Sequence, residues 1–429
     1  MSILRAVVLV GVVTGLCDAF ARFDWDEGPT RAGLVVAVLA LVAIARWLGP
    51  AKPWPRWFLG LAAIGVGALL FWHLKEGSYS SLRQRRSEMG DLHVRGVQLL
   101  LRGVTPWHFG TVLDLGSTRA FLGFPEVREC FGDEPVPTAA QVDETWASQE
   151  SGASLFPGRI QEPACDAAKR TLGLAGYKYG PVMMAAYVPL IGLHGRGGEY
   201  LTHLAFLLLL IGGLVVASRS LRPEAVVLAG LVLLGQQVLR RVTLLDSDCD
   251  LIPTALLVWA LVGFQRGNSG VVGALAGLCI AAKVFPGAFL LPLVLLSGRR
   301  AWASFVIVSA GCWLPAFAVD GAGVWDNVIR FNLERPSDST ALVHFLSPLT
   351  TTLLRVVAVA LVGAAFFGLA RRRLDAVTFV ALSMGAFFLV SKVFHNNYIV
   401  WWLPVLGLVL AQSLVATSTA PQRGVEPVR

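Results

Sequence analysis

Asp91 is the residue whose type and position most favour catalysis in this sequence. It follows three apolar segments, opens a long polar stretch and precedes a helix-like run from Val94 to Leu101. A carboxylate at a membrane surface can act as a general base, because it can take the proton of an attacking hydroxyl group. The same side chain could instead cap the helix by accepting a backbone N–H. The two interpretations are compatible, and the sequence leaves both open.

Lys283 is the second candidate, because it interrupts the apolar stretch 270–298 shortly before Pro286. Charge beside hydrocarbon is costly and therefore indicates function. A lysine at a helix break provides a point charge for a phosphate group, although it could also extend to the nearest membrane interface. We expect replacement by Met to weaken phosphate binding and to leave folding nearly unchanged, since Met fits an apolar hairpin.

Three carboxylates, Asp246, Asp248 and Asp250, stand before an apolar helix and alternate with Ser247 and Cys249. They could cap that helix, or they could hold a divalent cation. Oxygen-bound cations need several convergent donors and this is one local cluster, so a metal site is not favoured. The sequence contains no nucleotide-binding, zinc or haem pattern. We therefore expect neither a metal nor a cofactor.

Other polar residues lie in segments that could face the same side of the membrane as Asp91. Tyr398, Trp401 and Trp402 follow the last of these segments and fit an interfacial aromatic belt. The remaining candidates for binding are His93, Arg95, Tyr179, Arg330, Arg335, His395 and Asn397.

The composition is that of a membrane protein. Of all residues 55% are hydrophobic and 15% are charged, and many apolar stretches are long enough to cross about 30 Å of hydrocarbon as a helix. The net charge of +8 is interpreted as the cytoplasmic excess of Lys and Arg that orients membrane proteins, and not as a nucleic-acid surface. Placing the basic clusters inside predicts an all-α protein of about 12 transmembrane helices with both termini in the cytoplasm.

This topology divides the chain into four regions. Residues 1–74 are predicted to be N-terminal transmembrane helices, the first of which is retained and not cleaved as a signal peptide. Residues 75–180 form an exterior loop with membrane-surface helices, of which one is placed at Val94–Leu101, and with a second polar segment near Ala139–Gln149. Residues 181–415 form the transmembrane core, in which 182–195 is re-entrant and 270–298 is a hairpin with Lys283 at its exterior tip. Residues 416–429 are a disordered cytoplasmic tail.

Cys130 and Cys165 differ from the other four cysteines, because both lie in the exterior loop among Pro, Gly and acidic residues. Such a loop has little means of building a core, and an oxidising compartment permits a disulfide there. We expect the two residues to be bridged.

The order of four short motifs resembles that in the GT-C-fold glycosyltransferases that use polyprenyl-phosphate sugars, closest to the bacterial mannosyl- and arabinosyltransferases. Arg95 stands where that branch usually has Tyr. The motifs are Gly90-Asp91-Leu92-x-Val94, Leu99-Leu100-x-Arg102-Gly103-x-x-Pro106-Trp107, Tyr177-Lys178-Tyr179-Gly180-Pro181 and Ala282-Lys283-Val284-Phe285-Pro286.

The resemblance implies an inverting transfer of a sugar, mannose or a pentose, from a polyprenyl-phosphate donor to an acceptor hydroxyl at the exterior face of a bacterial cytoplasmic membrane. Asp91 would be the base, and Lys283 with Arg330 and Arg335 would hold the donor phosphate. The residues implied to contact sugar or acceptor are His93, Arg95, Tyr179, Asp248, Asp250, His395 and Asn397.

The expected partners are the lipid-linked donor, a glycolipid, glycan or protein acceptor and the membrane lipids, with no nucleic acid and a monomeric chain. A lipid or sugar transporter would also place charges between helices, and a non-catalytic scaffold of an envelope-building complex would also keep the fold. The long one-sided loop favours the enzyme over the transporter.

Overall fold

A computed structural model of the chain describes residues 3–19, 28–48, 55–83, 88–108, 122–148, 155, 165, 167–168, 176–218, 223–236, 239, 249–334, 337, 340–395 and 398–414. Within these residues the regular structure is helical, without strands.

The helices are α1 (Ile3–Ala19), α2 (Gly28–Leu48), α3 (Arg56–Arg83), α4 (Glu88–Leu101), α5 (Pro125–Phe131), α6 (Ala139–Ser148), α7 (Pro181–His194), α8 (Arg196–Ala217), α9 (Pro223–Leu234), α10 (Leu251–Gln265), α11 (Ser269–Ala282), α12 (Val284–Ala288), α13 (Leu291–Leu296), α14 (Arg299–Val324), α15 (Phe331–Glu334), α16 (Pro348–Ala370), α17 (Ala376–Val390) and α18 (Ile399–Leu414). A π-helix (Trp325–Arg330) joins α14 to α15, and a 3-10 helix (Leu342–Phe345) precedes α16.

Five helices in the described part of the chain are long and apolar enough to cross a membrane: α2, α3, α8, α14 with its continuation, and α16. The described parts of α3, α14 and α16 leave many large apolar side chains exposed, as expected of helices that face lipid. The other apolar helices are shorter. A helix of 14 residues such as α7 extends about 21 Å, which is less than the hydrocarbon thickness of about 30 Å. The count of about 12 crossings stays a prediction.

The centre of the bundle is built on α18, which is buried along almost its whole length. It packs against α9, α17, α2 and α10. Its sequence is apolar on every side, and a helix of that kind is stable only when surrounded by other helices or by lipid. Because α18 is central, Tyr398, which directly precedes it, lies in the middle of one end of the bundle.

The stretch 270–298 folds back on itself. Asn268 caps α11 by accepting a hydrogen bond from the backbone N–H of Val271. A side chain on Gly273 would collide with the carbonyl oxygen of Ala301, so α11 and α14 touch backbone to backbone near their starts. Small residues allow such close packing of membrane helices. α11 and α14 start at the same end of the bundle. The chain after α11 must therefore run back to that end before α14 begins, which leaves Lys283, directly after α11, at the opposite end.

The start of α4 corrects one expectation. The helix begins at Glu88, six residues before the predicted Val94, so Asp91 is its fourth residue and does not precede it. The capping interpretation required Asp91 to stand just outside the helix and is therefore wrong.

A small satellite core lies in the predicted exterior loop. Cys130 and Cys165 form a disulfide with their Cα atoms 4.7 Å apart. Packed around it are Leu122, Val127, Phe131, Val142 and Ala168. The second helix of this segment, α6, begins after Thr138, which exchanges hydrogen bonds with Gln141 in a capping box.

Removing the disulfide should loosen this segment and leave the bundle intact. With Cys130→Ser and Cys165→Ser, we expect a loss of about 3 kcal/mol in local stability, because the bond closes a long loop. Limited proteolysis should then cut between residues 122 and 168 while α7 to α18 stay protected. Mass spectrometry of unaltered protein from an oxidising compartment checks the bond itself, and two free thiols there would contradict it.

Candidate active site

The candidate site lies at the end of the bundle where several helices begin or stop together. α7 begins at Pro181, α10 at Leu251 and α18 at Ile399, whereas α11 ends at Ala282. The backbone N–H of Gly180 donates to the carbonyl oxygen of Ala282, which joins the start of α7 to the end of α11. Helix ends carry backbone groups without partners inside the helix, so this is a place where polar groups collect.

Lys283 sits in the break between α11 and α12. Its backbone is extended, with φ −150° and ψ 122°, so the side chain leaves the helix path. Nζ is 2.7 Å from Oδ1 of Asp250. The Asp250 side chain is 0% exposed and the Lys283 side chain 13%. The carboxylate is therefore closed to a ligand, while part of the lysine is accessible.

Three aromatic rings surround the ammonium group. Nζ lies 5.5 Å from the ring centre of Tyr179, 5.2 Å from that of Tyr398 and 5.0 Å from that of Trp401. Each is a cation–π distance. The indole N–H of Trp401 also donates to Oδ1 of Asp250. Tyr398 and Trp401 were assigned from sequence to an interfacial belt; the structure instead places them around Lys283 and buries Trp401 completely.

Asp250 was expected either to cap α10, to bind a metal or to contact a sugar. It stands at the N-cap position of α10 but makes no capping hydrogen bond with its side chain. Its carboxylate binds Lys283 and Trp401 instead. Among the residues that the structure describes, no three His, Cys, Asp or Glu side chains are grouped as for a metal ion. Asp246 and Asp248 lie outside the described residues.

The Tyr177–Pro181 segment forms one wall of the site. The backbone N–H of Tyr177 donates to the carbonyl oxygen of Pro106, and the indole N–H of Trp107 donates to that of Tyr179 at 3.0 Å. A side chain at Gly180 would collide with the carbonyl oxygen of Ala281. Glycine is therefore required for the wall to approach the hairpin tip.

His93 packs against the two tyrosines of this wall. It is fully buried, its Nδ1 lies 2.9 Å from the Tyr177 hydroxyl, and its ring stacks on Tyr187 and on Tyr179 at centroid distances of 4.3 and 5.4 Å. Burial lowers the pKa of His93 well below its usual value, and the charges of His203, Lys178 and Lys283 lower it further. A neutral imidazole without exposed surface positions the tyrosines, so the expected contact of His93 with sugar is replaced by a supporting role.

The other expected residues are less closely joined to Lys283. Arg95 is buried on α4. Arg330, in the π-helix, lies 3.7 Å from Asp326, and each side chain is about one third exposed. His395 is partly buried, with its ring edge-to-face to Tyr398 at 5.8 Å. Outside the described part of the structure are Asp248, Arg335, Asn397 and the side chain of Asp91.

The fold and this site define a helical membrane protein with a charged, aromatic-lined centre at one end of its bundle. The chain belongs to glycosyltransferase family 87, whose family model matches residues 177–392, half of the sequence. Glycosyl transfer is thus its class of reaction. The matched region contains Tyr179, Asp250 and Lys283, whereas Asp91 precedes it. Neither a comparison with curated proteins nor one with solved structures gave a significant match.

The ion pair changes what is expected of Lys283→Met. Met would leave the carboxylate of Asp250 buried beside Trp401 with no cation, and breaking a buried pair from one side costs about 3–5 kcal/mol. We now expect a lower unfolding temperature for Lys283→Met in detergent. The double variant Lys283→Met/Asp250→Asn should recover most of the loss, because an amide oxygen can still accept from the Trp401 indole.

Lys392→Met is the matched control, since Lys392 lies at the same end of the bundle but is exposed. It should unfold at the temperature of the unaltered protein. Equal stability of Lys283→Met and Lys392→Met would show that the buried pair is not required for folding.

The lowered pKa of His93 predicts a loss of stability in acid. The unfolded chain takes up a proton on this residue as the pH falls below about 6.5, whereas the folded chain resists it, so stability decreases with falling pH. The stabilising contribution of His93 is therefore present at pH 8 and is progressively lost toward pH 5.5. The difference in unfolding free energy between the unaltered protein and His93→Phe should therefore be smaller at pH 5.5 than at pH 8. A constant difference would contradict the prediction.

Proposed function

We propose that this glycosyltransferase moves a sugar, mannose or a pentose, from a polyprenyl-phosphate donor to an acceptor hydroxyl at the exterior face of a bacterial cytoplasmic membrane. The observation that carries the proposal is Lys283: a partly accessible cation at a helix break, held by a buried carboxylate and three aromatic rings. The family supplies the class of reaction; the donor, the sugar and the face are our proposals.

A lipid-linked donor suits this position. Its prenyl chain can stay in the hydrocarbon beside the apolar surfaces of α3, α14 and α16, while its phosphate reaches the end of the bundle. An ammonium group has three N–H donors, and Asp250 accepts from one of them. When the bond between sugar and phosphate breaks, the electron pair goes to the phosphate oxygen. A cation held in place stabilises that developing charge without having to move.

Asp250 then acts through Lys283. Its buried carboxylate holds the ammonium group in an ion pair at 2.7 Å. The Trp401 indole N–H also donates a hydrogen bond to the Asp250 carboxylate. This bond fixes the carboxylate and therefore the direction of the ammonium group. Arg330 would add positive charge on the side of the π-helix, and Arg335 stays a second predicted contact to the phosphate. We therefore assign Asp250 as a positioning residue and withdraw its proposed contact with the sugar.

The acceptor hydroxyl needs a base, and Asp91 is our proposal for it. The backbone of α4 brings Asp91 to the same end of the bundle, because His93, two residues later, stacks on Tyr179. A buried carboxylate, Glu199, lies against Gly90 beside it. Asp91 would take the proton of the acceptor hydroxyl while the acceptor oxygen attacks the anomeric carbon and the polyprenyl phosphate departs.

The charge distribution supports an exterior site. Arg266 stands between the end of α10 and the start of α11, at the end of the bundle away from Lys283. α14 starts at that same end with Arg299 and Arg300. Arg46, near the end of α2, pairs with Asp375 before α17 at 3.1 Å. These basic residues gather at the end opposite Lys283, and basic residues favour the cytoplasmic side. A transporter or flippase, or a scaffold without activity, is the alternative, and family membership favours the enzyme.

The proposal is tested with the full-length protein in proteoliposomes, given a panel of radiolabelled polyprenyl-phosphate sugars and a membrane extract as the source of acceptor. We expect transfer of label from one donor, and at least a hundredfold slower turnover for Asp91→Asn, since a general base typically contributes about 10²–10⁴. Asp91→Asn should still bind the donor. A folded Asp91→Asn variant with near-normal turnover would refute the assignment of the base.

The double variant Lys283→Met/Asp250→Asn provides the matched comparison, because it lacks the cation without an unpaired buried charge. It should bind the donor more weakly, while Asp91→Asn should bind it normally. Movement of label across the membrane without transfer would favour the flippase, and neither movement nor transfer would favour the scaffold.

A further inference from the structure

A second polar centre lies at Asp320, which the motifs did not indicate. The long helix α14 contains Pro315 and departs from helical geometry at Asp320, with φ −152° and ψ 72°. This break separates the lipid-facing part of α14 from its last turn. The Asp320 side chain is only 10% exposed, so its carboxylate is held within the protein at the predicted exterior side.

The two oxygens of Asp320 have different neighbours. Oδ1 accepts a hydrogen bond from the backbone N–H of Gly323 at 2.9 Å, which is the ordinary capping of a new helical turn. Oδ2 lies 3.3 Å from the hydroxyl of Thr105 and 3.7 Å from Nδ1 of His108. Capping therefore explains one oxygen only, and the other faces a histidine from a distant part of the chain.

His108 is firmly placed through its neighbour. The carbonyl oxygen of Trp107 accepts from the side-chain amide of Asn327 at 2.6 Å. The Trp107 indole donates to the carbonyl oxygen of Tyr179, whose ring lies beside Lys283. Trp107 thus stands between two polar centres. On one side it contacts Tyr179, whose ring lies beside Lys283 and Asp250; on the other side it precedes His108, which faces Asp320 of α14.

We propose that His108, oriented by Asp320, binds a hydroxyl group of the sugar-like or polyol acceptor, so that Trp107 and Tyr179 separate an acceptor subsite from the donor-phosphate subsite. The proposal rests on the proposed function and deepens it. It assigns His108 to binding and leaves the removal of the acceptor proton to Asp91.

The chemistry follows from the orientation of the ring. Oδ2 of Asp320, 3.7 Å from Nδ1, is too far for a direct hydrogen bond, but its negative charge favours the tautomer with the proton on Nδ1. Nε2 is then left as a hydrogen-bond acceptor. An imidazole in that state accepts from a hydroxyl group. The His108 side chain is 43% exposed, in contrast to the fully buried His93, so a ligand can reach it. Thr105 assists by donating to the same carboxylate oxygen, which holds Asp320 toward the histidine.

Two variants separate binding from folding. His108→Phe keeps a ring of similar width but cannot accept a hydrogen bond, and His108→Gln keeps a polar atom near the position of Nε2. With octyl hexosides as acceptors, we expect His108→Phe to raise the KM for the acceptor at least fivefold and to leave the KM for the donor unchanged, as for one lost hydrogen bond. His108→Gln should retain much of the acceptor affinity. Asp320→Asn, which keeps the capping oxygen, should raise the same KM by a smaller factor.

A second measurement does not depend on catalysis. Diethylpyrocarbonate modifies accessible imidazoles, and peptide mass spectrometry can follow His108 and the exposed His194 in the same sample. A panel of octyl hexosides and pentosides should slow modification of His108 and leave His194 unaffected. Protection of His108 without any sugar transfer would keep the subsite and refute the proposed function. Transfer with an unchanged acceptor KM in His108→Phe, or equal modification of both histidines in the presence of every glycoside, would overturn the subsite.

Discussion

The buried ion pair between Lys283 and Asp250 is the interaction on which the arrangement of the site depends. A charge in an apolar bundle is tolerated only with a partner of opposite sign and good geometry. Here the partner comes from the start of α10, the cation from the break after α11, and the supporting indole from the first turn of α18. One electrostatic requirement therefore fixes three helix ends relative to one another.

The rest of the site is fitted to this pair by close backbone contact. Gly180 touches the end of α11, and Trp107 joins the Tyr179 wall to Asn327 in the π-helix. Buried polar groups beside the wall are hydrogen-bonded in pairs, His93 with Tyr177 and Tyr187 with His203, and these contacts give the wall a defined position. The proposed transfer from a polyprenyl-phosphate donor would benefit from such rigidity, because the charges would have to be in place before the phosphate leaves.

Several expectations from sequence depended on one-dimensional patterns that the structure resolves differently. Asp250 looked like a cap or a cation ligand, since a carboxylate before a helix commonly is one; its real partners are 33 and 151 positions away. Trp401 looked like a membrane anchor, because aromatic residues at span ends usually are. His93 was expected to contact the sugar, yet α4 turns its ring toward Tyr187. Each error has the same cause: a local pattern shows what a side chain can do and not what it meets.

The sequence by itself determined the membrane class, the helical fold of the described residues, the break at Lys283 and the segments that contribute to the site. Apolar length, helix-breaking residues and motif order are local properties of the chain. The count and direction of the crossings, the base and the donor stay predictions. Only the tertiary structure decided that Asp250 pairs with Lys283, that Tyr179, Tyr398 and Trp401 surround it, and that Asp320 faces His108. These pairings join residues far apart in the chain, and they exist only because helix packing brings the ends of separate helices together.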